Sequence, residues 1–341
     1  MILVTGATGL VGGHLLIELL KNPNNLAITA LFRSETTKKR TWELFNQCFE
    51  TDKALENWTA IQWVKADILD IVTLEKVFQK SITHVYHCAA IVSFDTKAKD
   101  LLRKTNIEGT ANVINLCLDY SIKKLCYVSS IATLDAPIKG QKINENSFWN
   151  PELPHSEYAR SKYGAEMEVW RASQEGLKVV IVNPGVILGN GYWNTGSSKI
   201  FEQIRKGIPF YTSGGSGFIG VTDCVVIMRK LMESNIHTER FILISENVSY
   251  LSIIKDFATP LGFKVPKKQI PKWILQPIGL MLEVVSYLTK IENPFSKDTI
   301  QSLYTQTYYE NQKIKKTLDF QFTPIETVLK KISTQYKKYS N

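Results

Sequence analysis

Tyr158 and Lys162 have the residue types and the spacing needed for proton transfer. They stand four positions apart, so a helix over this stretch would place both side chains on one face. A free phenol has a pKa near ~10 and is a poor base at neutral pH, but a neighbouring ammonium favours the phenolate and lowers that pKa. An isolated pair of this kind is usually a solvated helix surface, so the chemical interpretation depends on its surroundings. We expect Tyr158 to act as a general acid–base that Lys162 tunes.

A glycine-rich loop at the start of the chain predicts a dinucleotide site. Its glycines follow the strand-like run Ile2–Thr5 and precede the helical pattern Leu10–Leu20. Glycine permits a tight turn and a close approach of the pyrophosphate to the backbone, while the helix N-terminus offers free N–H groups. A lone glycine triplet is often only a turn, but here strand, loop and helix agree. The cofactor contacts predicted in this loop are Gly6, Thr8, Gly9, Leu10, Val11 and Gly12.

The end of the second predicted strand indicates the type of dinucleotide. A carboxylate there would bind the ribose hydroxyls of NAD and repel a 2′-phosphate, whereas this chain has Arg33, followed by Lys38 and Lys39. A guanidinium pairs with a phosphate and stacks on adenine. We therefore expect NADP as the preferred cofactor. NAD stays open, because Arg33 also fits a solvated cation at a strand end.

Asp67 and Ile68 follow the third predicted strand. Asp67 would accept a hydrogen bond from the adenine amino group while Ile68 packs on the ring. The alternative for Asp67 is the N-cap of a helix that begins near Val72. Both roles fit the sequence.

Short apolar, β-branched runs alternate with helical patterns through the first two-thirds of the chain. The predicted strands are Ile2–Thr5, Ala27–Phe32, Ile61–Ala66, His84–His87, Leu125–Val128 and Val179–Val182, with Phe241–Ile244 as a late addition. Such alternation requires crossovers, and therefore a parallel sheet covered on both faces. We predict an α/β fold with a Rossmann-type doubly wound parallel sheet over residues 1–185 and a return segment near 220–245. Residues 186–341 are expected to form mainly a smaller, mostly helical C-terminal substrate lobe.

Residues 273–291 carry an apolar helical pattern. Pro277 and Glu283 interrupt it, and the uncharged run is too short to span a bilayer. One apolar stripe at helical spacing consists of Ile274, Ile278, Met281, Leu282, Val285 and Leu288. A core-facing or lid helix is favoured. The upstream Lys267, Lys268 and Lys272 leave a weak association with a membrane surface open.

Composition narrows the classes of function. The net charge of +9 comes without a nucleic-acid motif, so a solvated basic surface is expected and no nucleic-acid partner. The cysteines are odd in number and not spaced as a metal site, so we expect reduced thiols, no metal and a cytoplasmic location. They are Cys48, Cys88, Cys117, Cys126 and Cys224. Only Ile2, Leu3 and Val4 lie between Met1 and the glycine-rich loop, so we expect no signal peptide. A homodimer is compatible with the sequence.

These motifs together resemble the extended short-chain dehydrogenase/reductases of the NAD-dependent epimerase/dehydratase superfamily. Within them, the chain is similar to the dihydroflavonol reductase and 3β-hydroxysteroid dehydrogenase-like group. The resemblance covers nearly the whole chain and rests on the glycine loop, Ala66–Ile68, His87–Ala90, Asn106–Thr110, Val128–Ser130, Tyr158–Lys162, Asn183–Gly185 and Val221–Asp223. The combination is specific for fold and cofactor and much less specific for substrate.

The resemblance implies roles by position. The catalytic residues fall on Ser130, Tyr158, Lys162 and Asn106, the last near the proton relay. Cofactor contacts fall on Ala89 and Ala90 beside the ribose and on Pro184, Gly185 and Val186 near the nicotinamide. Cys88 stands where the family often has asparagine, and Asp223 belongs to a motif that packs the lobe against the sheet. Ser130, at a predicted strand end, would donate a hydrogen bond to the substrate oxygen.

We therefore predict an NADP(H)-dependent oxidoreductase that interconverts a carbonyl and a secondary alcohol on an apolar small molecule. An aromatic set compatible with such a substrate, or with the core, is Tyr192, Trp193, Phe201, Phe210, Tyr211 and Phe218. Lys199 and Arg205 fit a substrate phosphate or solvent. One alternative is a nucleotide-sugar epimerase with retained NAD. Another is a non-catalytic NAD(P)-binding sensor, which the presence of both Tyr158 and Lys162 disfavours.

Overall fold

Strands and helices alternate along the chain as the apolar pattern predicts. The computed structural model describes residues 1–21, 27–136, 141–193, 196–289 and 297–340. The strands are β1 (Ile2–Thr5), β2 (Ile28–Phe32), β3 (Ile61–Lys65), β4 (His84–His87), β5 (Lys124–Val128), β6 (Val179–Pro184), β7 (Val186–Leu188), β8 (Phe210–Tyr211), β9 (Gly215–Gly220), β10 (Glu239–Leu243), β11 (Glu246–Ser249) and β12 (Lys268–Gln269). The helices are α1 (Leu10–Leu20), α2 (Glu35–Cys48), α3 (Thr51–Thr59), α4 (Ile71–Phe78), α5 (Lys99–Leu102), α6 (Gly109–Asp119), α7 (Glu157–Gln174), α8 (Lys199–Lys206), α9 (Val221–Glu233), α10 (Tyr250–Ala258), α11 (Lys272–Thr289), α12 (Lys297–Tyr304), α13 (Gln312–Leu318) and α14 (Ile325–Ser340).

Seven parallel strands form the central sheet, in the order β10-β6-β5-β4-β1-β2-β3. The chain winds outward from β1 in one direction and then crosses to β4 and winds in the other, which is the doubly wound arrangement that the alternation predicts. β10 joins the edge by pairing parallel with β6, as expected for the return segment. The predicted fold class is confirmed. The division of the chain near residue 185 stays a prediction.

Both faces of the sheet are covered by apolar layers. One layer includes Leu15 and Leu16 of α1 with Ile227 and Met228 of α9, all fully buried. The opposite layer includes residues of α4, α6 and α7. A third buried cluster lies in the C-terminal part, where α8, α10 and α14 pack around Phe257. Burial on both faces explains why the strands read as continuous apolar runs.

A small second sheet was missed by the sequence pattern. β9 lies between β11, antiparallel, and β7, parallel. Its sequence, GSGFIG, lacks an alternating apolar pattern. Glycines take the place of larger side chains because other parts of the chain pack directly against this strand. A Cβ on Gly215 would lie 2.3 Å from Gln306, and one on Gly217 would lie 2.5 Å from Ile244. Close packing rather than strand propensity therefore selects these residues.

The prediction that the apolar stripe of α11 faces the core is wrong for Ile278 and Met281. Ile278 is 39% exposed and Met281 is 65% exposed, whereas Leu275 is buried. The helix therefore turns Leu275 inward rather than the stripe that runs through Ile278 and Met281. Val285 and Leu288 lie outside the part of the helix whose side chains are described.

Candidate active site

The glycine loop is built by contacts that exclude side chains. Gly6 has φ +63, and a Cβ there would lie 2.6 Å from the backbone nitrogen of Ala89. A Cβ on Gly12 would lie 2.2 Å from the carbonyl oxygen of Gly6. Gly9 is exposed and occupies the N-cap of α1, where, having no side chain, it does not cap the first amides of that helix. A pyrophosphate therefore fits this loop, because it would meet open backbone N–H groups and the positive end of α1.

The residues predicted to select the cofactor lie beside this loop. Arg33 follows β2 directly and is exposed, without a hydrogen bond or ion pair to any residue in the described ranges. The ammonium of Lys38 lies 4.7 Å from the centre of the Phe32 ring, so it packs on β2. Lys39 is exposed. Arg33 thus has the freedom that binding of a phosphate would need.

Asp67 does not cap α4. The N-cap is Asp70, whose side chain accepts from the amide of Thr73, because α4 begins at Ile71. Asp67 accepts from the amide of Leu69 at 3.0 Å and so shapes the turn after β3. Ile68 is buried, and its side chain faces Gly109. The adenine roles of Asp67 and Ile68 stay predictions.

A series of hydrogen bonds through Thr5, His87 and Thr110 connects β1 with α6. The amide of Ala89 donates to Thr5 Oγ1 at 3.3 Å, and that hydroxyl lies 2.7 Å from His87 Nδ1. His87 Nε2 lies 2.9 Å from Thr110 Oγ1, which donates to the carbonyl of Asn106. Since each hydroxyl has one proton, Thr5 donates to Nδ1 and His87 carries its proton on Nε2. Burial lowers the pKa of His87 to about 3, so the imidazole is neutral.

Ala89 and Ala90 lie just beyond the carboxyl end of β4. Ala89 is half-buried against Gly6, and Ala90 is exposed. Cys88 is half-buried, and all five cysteines are free thiols, as the composition predicts.

Tyr158 and Ser130 meet at the carboxyl end of β5. Tyr158 lies in the first turn of α7, where Ser156 accepts from the amide of Ala159 as the N-cap. Burial raises the pKa of Tyr158, and a side-chain hydrogen bond with Ser130 lowers it in part. Lys162 does not lower this pKa here, because its ammonium bonds to Tyr127 and Val128, and the lowering expected from Lys162 together with the nicotinamide ring stays a prediction. The phenol is therefore protonated at neutral pH, ready to donate.

Lys162 points into the protein from the same face of α7. It is 2% exposed, and its ammonium donates to Tyr127 Oη and to the carbonyl of Val128, each at 2.8 Å. Burial lowers the pKa of Lys162 to about 7, against the opposing charge of Glu166. Tyr127 was not predicted from the sequence, since it reads as one of several apolar strand residues. An ammonium has three N–H donors, so one remains for a ligand.

Asn106 fastens two segments next to Tyr158. Its amide group bonds both the amide and the carbonyl of Ile91, at 2.8 and 3.0 Å. It also donates to Ser161 Oγ at 2.9 Å, and that hydroxyl donates to the carbonyl of Tyr158. Asn106 lies in the π-helical turn Arg103–Glu108, a type of distortion frequent at functional sites. Its side chain is thus used in positioning, and its predicted place in the relay stays untested.

A buried carboxylate missed by the sequence reading lies one turn beyond Lys162. Glu166 is 0% exposed, and one of its oxygens accepts from Ser129, Thr133 and Asn183. Its other oxygen lies 3.4 Å from Arg240 Nη1. The signal was present in the sequence, because Glu166 continues the i, i+4 series of Tyr158 and Lys162.

Pro184, Gly185 and Val186 connect β6 to β7 at the same edge of the sheet. Pro184 is buried, while Gly185 and Val186 are half-buried. A Cβ on Gly185 would lie 2.3 Å from the carbonyl oxygen of Gly217, so glycine allows β6 and β9 to touch. The segment therefore lies at the carboxyl end of β6. Its neighbour in the sheet is β5, and Ser130 follows the end of β5 by two residues.

Most of the proposed aromatic set belongs to the core. Tyr192, Trp193, Phe201 and Phe218 are at most 3% exposed. Phe210 is exposed and Tyr211 half-buried. One aromatic ring that does face Tyr158 is that of Phe94, which is 58% exposed and has its centroid 5.6 Å from that of Tyr158. It was missed because it lies in an irregular segment after β4.

The charged residues of the lobe have surface or structural roles. Arg205 pairs with Glu202 at 2.9 Å, and Lys199 is exposed. Asp223 accepts from the amide of Thr323 at 2.7 Å and from its hydroxyl at 3.0 Å. Asp223 thus ties the segment before α14 to α9, in line with the structural role expected for it.

The described ranges hold no cluster of His, Cys, Asp or Glu side chains suited to a metal ion. In the same ranges, no helix combines the length and the apolarity needed to cross a bilayer.

Comparisons with known proteins extend over nearly the whole chain. The sequence profile of the NAD-binding family described as male sterility protein matches residues 4–215. A putative dihydroflavonol 4-reductase of Synechocystis sp. is 26% identical over 335 residues, which cover 96% of this chain and 91% of the relative. The decarboxylating sterol-4-alpha-carboxylate 3-dehydrogenase erg26 of Schizosaccharomyces pombe is 25% identical over 338 residues, covering 94% and 92%.

Solved structures share the fold. Yeast methylglyoxal/isovaleraldehyde reductase Gre2, complexed with NADPH, superposes with a TM-score of 0.74 at 19% identity, over 99% of this chain and 98% of that one. UDP-glucose 4-epimerases also occur among the matches. Reductases and epimerases thus share this architecture, so the fold alone does not distinguish the two reactions.

Proposed function

Because the chain belongs to the NAD-binding family described as male sterility protein, and with it to the extended short-chain dehydrogenase/reductases, we propose that it reduces a carbonyl on an apolar small molecule to a secondary alcohol, with NADP(H) preferred. It is an NAD(P)-dependent oxidoreductase, as its named relatives are. The observation that carries the proposal is that Tyr158, whose pKa Ser130 lowers in part, shares one face of α7 with the buried Lys162.

The cofactor would be held by the glycine loop and the N-terminus of α1, and when bound it supplies the hydride. Arg33 would pair with a 2′-phosphate. The third N–H of Lys162 would bond a ribose hydroxyl, since its other two donate to Tyr127 and Val128. Ala89, Ala90 and the segment Pro184–Val186 would form the walls of the groove. Each of these groups positions the reacting carbon against the phenol.

Tyr158 would donate the proton to the developing alkoxide. Its raised pKa keeps the phenol protonated at neutral pH, which suits reduction more than oxidation. Ser130 would donate a second hydrogen bond to the same oxygen as negative charge grows there. Phe94, exposed beside Tyr158, would pack against the apolar part of the substrate.

A variant of the phenol tests this function. Tyr158→Phe should bind NADPH like the wild type, measured by fluorescence, and should lower kcat by about 10²–10⁴-fold across a panel of ketones, aldehydes, steroids and flavonoids. Tyr163→Phe is the matched control, because Tyr163 lies on α7 but stacks on Trp149. Retention of most of the rate by Tyr158→Phe would refute the proposal.

The epimerase remains the second candidate, because UDP-glucose 4-epimerases are similar in fold. An epimerase returns the hydride to the same substrate and therefore retains its cofactor. A dinucleotide that co-purifies and survives dialysis would favour epimerisation. Free exchange of NADPH with turnover of a ketone would favour the reductase, and the absence of turnover on every substrate class would favour a sensor.

A further inference from the structure

Helix α11 carries apolar residues on a face that no described residue covers. Trp273 is 72% exposed, Leu280 is 64% exposed and Met281 is 65% exposed. With Pro277, also exposed, they stand at i, i+4, i+7 and i+8, which places them within an arc of about 100° on an α-helix. Exposing an apolar face of this kind to water is unfavourable, so its presence on the surface of a folded protein points to a binding role.

The opposite face of α11 is the one that packs against the rest of the protein. Leu275 and Gly279 are buried, and α11 packs against α12. Both lie on the side of the helix turned away from Trp273 and Leu280. The outward residues are therefore surplus to the packing of the lobe, unlike the exposed flank of an ordinary amphipathic helix, which is polar.

The chain around this face is basic. Residues 261–282 contain Lys264, Lys267, Lys268 and Lys272 and no Asp or Glu. Lys264, Lys267 and Lys268 are exposed. β12 pairs Lys268 with Phe210, which is 46% exposed and adds another apolar side chain beside the lysines. Glu283 on α11 offsets one of these four charges, and Lys297 and Asp298 at the start of the neighbouring α12 offset each other, so residues 261–283 keep a net positive charge of three.

We propose that this face of α11, defined by Trp273, Pro277, Leu280 and Met281, docks on a lipid bilayer that contains anionic lipids. Apolar side chains bordered by lysines suit the boundary between acyl chains and anionic headgroups, where tryptophan is also favoured. A second copy of this chain is a poorer occupant, because docking one such face on another would bring the two lysine groups together. Docking of this kind is peripheral and reversible, as expected for a single helix face.

Vesicle flotation of the full-length protein tests the proposal. The protein should float with vesicles of equimolar phosphatidylcholine and phosphatidylglycerol, should bind vesicles of phosphatidylcholine alone much more weakly, and should lose binding as salt rises. Equal binding to both vesicle types, or binding to neither, would overturn it.

Two pairs of substitutions separate the apolar and the charged contributions. Leu280→Glu with Met281→Glu should abolish flotation, whereas Leu55→Glu with Val72→Glu, at exposed apolar sites on α3 and α4, should not. Lys267→Gln with Lys268→Gln should weaken binding about 30-fold, at roughly 1 kcal/mol for each lysine near an anionic surface. The same loss of charge at Lys76 and Lys80, exposed near the end of α4, should have no such effect.

Two further measurements serve as controls for folding and for oligomeric state. NADPH binding by each variant confirms that it is folded, because α11 carries none of the residues proposed to bind the cofactor. Size-exclusion chromatography shows whether the α11 variants change the oligomeric state. A dimer that dissociates on Leu280→Glu with Met281→Glu, without any vesicle binding by the wild type, would identify the face as a subunit interface and refute membrane docking.

Discussion

Glu166 stands one helical turn after Lys162 on α7, and both side chains are buried. Burial lowers the pKa of Lys162 to about 7, and the charge of Glu166 opposes that shift. The carboxylate also receives hydrogen bonds from Ser129 on one side and Asn183 on the other. The buried Glu166 thus supports Lys162 electrostatically and holds α7 against the ends of β5 and β6.

Glu166→Gln should impair the site beyond any loss of stability. The amide keeps the shape but removes the charge that supports Lys162 and replaces an acceptor with a donor facing other donors. We expect the free energy of unfolding to fall by about 1–3 kcal/mol and the pKa of Lys162 to fall further. Denaturant unfolding measures the first effect, and ¹⁵N NMR of the lysine side chain measures the second.

Glu168→Gln is the control for that experiment. Glu168 lies on the same helix but pairs with Arg171 at the surface, at 3.0 Å. Its loss should change stability little and leave the pKa of Lys162 unchanged. If both variants shifted that pKa equally, the special role of Glu166 would be wrong.

Arg33→Ala should reduce the preference for NADPH over NADH. The exposed guanidinium at the end of β2 would pair with the 2′-phosphate, and charge-assisted hydrogen bonds of this kind contribute about 1.5–3 kcal/mol. We expect the Kd of NADPH to rise about 10–100-fold and that of NADH to stay nearly constant, measured by titration of protein fluorescence. Lys80→Ala, which removes one distant charge, should alter neither. Equal Kd values for the two cofactors in the wild type would remove the basis of this prediction.

The local secondary structure of the motifs could be predicted because each motif lies within one element and its flank. The glycine loop needs only β1, a turn and α1, and the Tyr158–Lys162 spacing needs only one helix. Apart from Trp170, one helical turn further on, the partners of Glu166 lie between 17 and 74 positions away along the chain, so no spacing rule could identify them. The faces of α11 were predicted wrongly for a related reason. The helix is apolar on two sides, and periodicity alone does not tell which side packs.

His87 should give folding stability a dependence on pH. The pKa of the folded imidazole is lowered to about 3 by burial, whereas an unfolded histidine takes up its proton near ~6.5. The unfolded state therefore binds more protons between these values, so the stabilising contribution is full above pH ~6.5 and is lost as the pH falls. The free-energy difference between wild type and His87→Gln should shrink by about 2 kcal/mol from pH ~7 to ~5.

Denaturant unfolding at several pH values measures that difference. His237→Gln is the control, because His237 is exposed, and its loss should leave the pH dependence unchanged. A difference between wild type and His87→Gln that stays constant with pH would show that His87 is charged, or already accessible, in the folded protein.

Phe94→Ala should affect bulky apolar substrates more than small ones. The Phe94 ring lies edge-on to Tyr158 and is largely exposed, so a substrate carbonyl held by Tyr158 would place its apolar part against that ring. Burying an aromatic side chain contributes about 1.5–3 kcal/mol, and part of this should be lost in the variant. We expect kcat/KM for a steroid or flavonoid ketone to fall by at least ~10-fold, that for a short aliphatic aldehyde to change little, and the Kd of NADPH to stay the same. Val72→Ala, an exposed apolar site on α4, serves as the control. An equal fall for every substrate would instead mean that Phe94 only holds Tyr158 in place.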